Sequence, residues 1–319
     1  MNSLERHQVR VYLTAMVAGV LLGVLIPGVA AVTQPVITPA IAVMLFSTFL
    51  TIPFTHVGRA FSDLRFLFLL VVLNFVLAPA VVWVLIRPLA HQPAVVVGLT
   101  LVLLAPCIDW VVVFTRLAGG DSARLTAATP VLMVLQMLLV APLMLVIAGP
   151  HAVVAIPPEP FFTATLLVLL PLVTAGVVQY AADRFHSAAR IHEVGQAGMV
   201  PAVAAVLLVV VSSHVTELGS HGKEVLWTIP ICIAFAIVMT AVTVLLTRLT
   251  GTPVPAARAA IFSAVARNSL VVLPIALALP QDYALAPVVV LTQTMVELVI
   301  MVLLVRTVPV LCRRSMERP

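Results

Sequence analysis

The sequence predicts an all-α membrane protein: ten transmembrane helices in two inverted five-helix repeats, about 10–148 and 161–308, within a single domain spanning 1–319. Three observations predict it. The chain is 62% hydrophobic and 9% charged, with a mean hydropathy of +1.21, which excludes a soluble globular domain. Ten apolar runs of about 20 residues, the length needed to cross a bilayer, follow one another with short connections. Apart from Arg267, every Lys and Arg falls on one side of this layout except Arg87 and Lys223. By the positive-inside rule both termini are then cytoplasmic, in a multi-pass protein of the inner (plasma) membrane.

The first run, 10–32, follows a short charged start, MNSLERHQVR. It outruns a signal-peptide core and lacks a small-residue cleavage site, so it reads as a retained span. The next two runs are 36–56 and 66–89, bounded by connections that hold most of the Arg, Pro, Gly and His. The fourth, 94–115, contains LAPCIDWV at 104–111, where Pro106 cannot donate a hydrogen bond and Asp109 brings a carboxylate into the membrane. A break is expected there. The fifth, 124–148, carries TPVLMVLQM with Thr129 and Gln136. The sixth to eighth, 161–182, 194–213 and 224–247, have no comparable interruption.

The ninth run, 257–279, holds the most informative residue. Arg267 lies within IFSAVARNSLVVLPIALALP, and a charge at mid-membrane costs roughly 2.5 to 3.5 kcal/mol on insertion scales, so it needs a partner and a protein or watery surrounding. Asn268 and Ser269 follow it and can compete for backbone hydrogen bonds, while Pro274 removes a donor further on. A second break is expected here. The tenth run, 284–308, carries Gln293 and Glu297, four residues apart and so on one helix face. Asp109 and Glu297 are the two candidate counter-ions for Arg267, and a proton or cation would balance the remaining negative charge. The same Arg267 has a plainer reading as an ion pair that only fixes the broken helix.

Overlaying the fifth run on the tenth pairs Pro130 with Pro287 and Gln136 with Gln293. An odd number of spans per half gives the halves opposite topology, and paired broken helices in inverted repeats are a recurring transporter architecture with the site near the midplane.

Other classes find less support. Cys107, Cys232 and Cys312 give no disulfide framework or paired metal spacing. No basic cluster exceeds Arg313-Arg314, so the pI of 9.7 reflects membrane topology and not nucleic acid. No nucleotide loop, metal motif, cofactor site or Ser/His pair points to an enzyme, and the His residues lie mostly near connections. A passive channel is the third class; inverted halves favour alternating access over it.

LAPCIDWV, AVARNSLVVLP and RLAGGD at 116–121 resemble the bile acid:sodium symporter superfamily, and within it the arsenical-resistance, arsenite permease-like branch. The resemblance covers nearly the whole chain. It implies that helices four and nine are unwound and cross at the substrate and ion sites, and that RLAGGD forms the turn between helices four and five. Sodium-coupled members carry a Glu five residues and a Gln one residue before the helix-nine Asn, where this chain has Ser263 and Arg267. A guanidinium thus stands where a sodium ligand would be. Arsenite permeases carry a helix-four Cys after a Pro, matched by Pro106-Cys107; their helix-nine Glu is replaced by Val271, and Glu297 on another span is the available carboxylate. The expectation is sodium-independent export of arsenite or a related oxyanion, with possible proton coupling. The alternative is a sodium- or proton-coupled carrier of a small organic anion that pairs with Arg267. Cys107 is either a soft ligand for trivalent arsenic or a small apolar filler; Cys232 and Cys312 read as filler and cytosolic tail. The candidate substrate and ion set is Cys107, Asp109, Thr129, Gln136, Arg267, Asn268, Ser269, Gln293 and Glu297.

Overall fold

The computed structural model describes residues 3–26, 28–52, 63–107, 110–149, 158–182, 184–220 and 225–313. Among them there is no β-strand, only helices and one isolated backbone bridge. Among the described residues five helices are long and apolar enough to cross a membrane, six if one bent pair is counted as a span, and shorter apolar helices accompany them. Their outward faces are apolar: Val17, Leu21 and Val24 on the first helix lie exposed at helical spacing, as expected of side chains solvated by acyl chains.

Helix α1 (Ser3–Leu25) turns at Gly28 into α2 (Val29–Thr51). The sequence places the second run at 36–56, starting after Pro35. In fact Pro35 and Pro39 lie inside α2, because one lost donor in a membrane helix is tolerated where neighbouring groups compensate. Helices α3 (Leu64–Val72) and α4 (Ala78–Leu85) are joined by a π-helical turn, Leu73–Leu77. Pro79 accounts for it: proline cannot donate to the carbonyl four residues back and its ring crowds that carbonyl, and a wider turn relieves both.

The fourth run is broken as expected, into α5 (Pro93–Leu104) and α6 (Val111–Leu117). Helix α7 (Ser122–Ala148) follows, then α8 (Pro158–Ala182). The seventh run differs from expectation. It is a polar helix α9 (His186–Ala197) followed by α10 (Met199–Ser220), bent by 49°. Helix α9 lies against the end of α2, where Gln196 Nε2 donates to Leu50 O at 2.9 Å and Gln179 Nε2 of α8 donates to Ile52 O at 2.8 Å. Side chains thereby satisfy carbonyls that the helix end leaves open. Helix α11 (Thr228–Leu249) precedes the second broken rod, α12 (Val254–Val265) and α13 (Ser269–Leu277), and the chain closes with α14 (Leu285–Arg313). Pro274 sits inside α13 and does not end it.

Two packing groups result. Helices α1, α2, α8, α9 and α10 pack on one another; α3 to α7 and α11 to α14 form the second group. They meet where α13 lies against α8 and α2, and where α10 lies against α14. Within the second group α5 and α14 touch at Gly98, where an added Cβ would stand 2.9 Å from Val289 Cβ and 3.0 Å from Ala286 O. Small residues permit such close contact between membrane helices, and here they bring the face carrying Gln293 and Glu297 against the first break.

Candidate functional site

The two broken rods meet at their breaks. Helix α5 ends when Ala105 turns extended, and Pro106 has no N–H with which to continue it. Cys107 N–H donates to Ala266 O at 3.0 Å and Asn268 N–H donates to Ala105 O at 2.7 Å, with Pro106 opposite Arg267 in an antiparallel bridge. Unwound main chain in the interior thus satisfies itself by pairing with its counterpart. A second fastening lies at the other end of α6. There Gly119, at φ +67°, makes a turn whose carbonyl and that of Ala118 accept from Arg258 Nη1 at 3.2 and 3.1 Å. Asp121 N–H reaches Pro255 O at 2.8 Å, and its carboxylate caps α7 through Arg124 N–H.

Arg267 is 0% exposed. Its guanidinium donates to Leu103 O at 3.3 Å, to Asn74 Oδ1 at 3.0 Å and to the carbonyls of Ser263 and Ala264. Its carbon lies 5.0 Å from the Phe235 ring centroid. Leu103 belongs to the last turn of α5, and Ser263 and Ala264 to the last turn of α12. Each helix C-terminus carries roughly half a negative charge, so the pair matches one cation without any carboxylate. That differs from the expected pairing with Glu297: no nitrogen of the Arg267 guanidinium is within 4.0 Å of a carboxylate among the described residues.

Asn74 is the acceptor that sequence reasoning missed. It sits in the π-helical turn, where its Nδ2 donates to Leu70 O at 3.0 Å and to Ser263 Oγ at 3.2 Å. Both amide atoms are thereby fixed. The signal was a lone amide within an otherwise apolar run five residues before a proline.

Glu297, 3% exposed, lies on the other side of the crossing. It accepts from the Arg267 backbone N–H at 2.9 Å, Trp110 Nε1 at 3.1 Å and Gln293 Nε2 at 2.5 Å. Break, crossing and α14 are tied together by that one carboxyl group. Trp110 also faces Tyr12 of α1, ring centroids 5.8 Å apart, so a side chain of the first packing group reaches this network. A cavity of about 10 Å³, room for a single water, is lined by Gln293, Glu297, Cys232 and Phe235. Cys232, read from sequence as filler, therefore stands beside the carboxyl group.

The remaining expected residues are distributed as follows. Cys107 is buried in the first break and holds the crossing through its backbone. Asn268 caps α13, its Oδ1 accepting from Val271 N–H at 3.3 Å, while its Nδ2 and the Ser269 hydroxyl are buried without a hydrogen-bond partner. The Gln293 carbonyl is in the same state. Thr129 bonds within α7, to Leu125 O at 3.0 Å, and the Gln136 carbonyl is buried and unpartnered. Neither shares a hydrogen bond with Arg267 or Glu297 among the described residues. Asp109 lies outside the described residues.

A model of the Sodium Bile acid symporter family matches residues 38–220, more than half of the chain and inclusive of the first break. No curated protein matches the chain.

Proposed function

Since the chain belongs to the sodium bile acid symporter family, a family of membrane transporters, we propose that it is a secondary transporter that moves arsenite or a related oxyanion outward without sodium. One observation carries the reading. The guanidinium of Arg267 sits fully inside the protein, both terminal nitrogens bonded to protein oxygens and only Nε without a partner, so a permanent tethered charge fills the kind of oxygen-lined place that a coupling cation would otherwise fill. An anionic substrate carboxylate would have to displace those bonds to reach it. That disfavours the organic-anion alternative in its simple form. The substrate contacts lie instead on the free groups of the second break and α14, Asn268 Nδ2, Ser269 Oγ and the Gln293 carbonyl, with Cys107 as the soft ligand. Arsenite at neutral pH is an uncharged trihydroxide, which such donors and acceptors suit. Glu297 carries the coupled proton, and Trp110 transmits its state to Tyr12 and the first packing group.

Purified protein in proteoliposomes should move arsenite with no sodium present, and a sodium gradient should not change the rate. Cys107→Ser should slow it several-fold at unchanged protein level, because oxygen replaces the soft ligand with little change of volume. Flux that requires sodium would overturn the proposal.

The same proposal includes ten spans in two inverted halves, with α3–α4, α5–α6, α9–α10 and α12–α13 each crossing as one interrupted rod. The placement of Arg and Lys supports it. Reporters fused after Pro150 and after Arg318 are expected to read periplasm and cytoplasm. Both on one side would exclude a five-span half.

A further inference from the structure

Far from the crossing, a pocket of about 450 Å³ opens between the ends of α4 and α7 and the start of α5. It lies at the end of the α3–α4 rod away from Arg65, where the two membrane-length helices Leu64–Leu85 and Ser122–Ala148 both finish. Its depth is therefore that of the membrane–water interface. The side of the pocket turned outward is apolar, with Val146 76% and Trp83 45% exposed, and the buried Tyr283 also lines it. Arg87 lines the pocket at its polar edge, its guanidinium carbon 3.9 Å from the Trp83 ring centroid. No carboxylate is within ion-pair distance of Arg87 among the described residues, although Asp282 is next to Tyr283 in the chain.

A lone guanidinium stacked on an indole, above an apolar wall that faces acyl chains, is complementary to one kind of molecule. We infer that this pocket holds a phospholipid of net negative charge, its phosphate on Arg87 and the upper part of one acyl chain against Trp83, Val96 and Val146. The volume is within the range of sites that enclose small molecules. The arrangement joins an aromatic residue at the interface to a basic one that attracts an anionic headgroup. A free small anion could use Arg87 but would leave the apolar wall uncovered. Occupancy would fix the α4 end against α5 and α7, close to where the first broken rod begins.

The test uses the purified full chain in detergent, stripped of lipid and titrated with phosphatidylglycerol or phosphatidylcholine, with bound lipid read by native mass spectrometry. One phosphatidylglycerol should bind in preference to phosphatidylcholine. Arg87→Gln should weaken it about fivefold, the effect of one basic residue at a membrane surface, and Trp83→Ala should weaken it too. Arg184→Gln serves as control, since Arg184 also stacks on an aromatic ring, at 4.7 Å from Tyr180, but lies outside the pocket; binding should be unchanged. Equal binding of the two lipids would overturn the inference, as would an Arg87→Gln protein that binds like the wild type. Displacement of the lipid by millimolar inorganic phosphate would overturn it as well, in favour of a free-anion site.

Discussion

An Arg267→Ala protein is expected to lose roughly 3–5 kcal/mol of stability, since each buried acceptor left without its donor costs about 1–3 kcal/mol. The guanidinium is the donor brought to Asn74 Oδ1 and to the carbonyls of Leu103, Ser263 and Ala264 in the last turns of α5 and α12. Without it those oxygens face one another in a dry interior at two negatively polarised helix ends. Lysine should recover only part of the loss, because a compact ammonium cannot fork between Leu103 and Asn74 as a planar guanidinium does. The more telling result concerns salt. The vacated space is lined by four oxygens and the face of the Phe235 ring, all of which attract a cation, so sodium or potassium should raise the melting temperature of Arg267→Ala and leave that of the wild type unchanged, compared with choline at equal ionic strength. If the variant melts like the wild type, the guanidinium does not hold the crossing.

Glu297→Gln is expected to lower transport about tenfold to a hundredfold. That is the kinetic equivalent of one hydrogen bond to a charged group, roughly 1.5–3 kcal/mol. Three N–H donors, from Arg267, Trp110 and Gln293, converge on this group. Glutamine presents one oxygen and one NH2, so at least one donor would face another donor across the crossing. The variant also has no exchangeable acid at this place. In proteoliposomes the remaining flux should no longer respond to an imposed proton gradient, whereas the wild type should. A Glu297→Gln protein that keeps both the rate and the proton response would remove Glu297 from the coupling mechanism.

How far the sequence revealed these features depended on whether a residue broke its local pattern. Arg267 stood out because a full charge in an apolar run must be answered, and the two breaks followed from Pro106 and from Asn268 and Ser269. What answers Arg267 was not legible. Its acceptors are chiefly main-chain carbonyls, freed only because the helices end there, and side-chain periodicity says nothing about carbonyls. For the same reason Glu297 finds a backbone N–H where a guanidinium was expected. Asn74 was hidden because prolines are common in membrane helices, so Pro79 gave no warning of a π-helical turn. Gln136 shows the opposite failure. It was singled out by its match to Gln293, yet similarity between the halves does not place it in hydrogen-bond contact with the network.

The scattering of Arg267's partners along the chain bears on how the protein is made. Asn74 and Leu103 precede Arg267 by 193 and 164 residues. Synthesis runs from the N-terminus, and early segments settle before later ones arrive. These two acceptors are thus already in the bilayer when the ribosome delivers the ninth run, which brings the carbonyls of Ser263 and Ala264 with it. A guanidinium that would be costly among acyl chains can pass from the translocon to a half-cradle already in place and complete it with carbonyls of its own helix, so that the order of the gene's codons eases the entry of its most difficult residue.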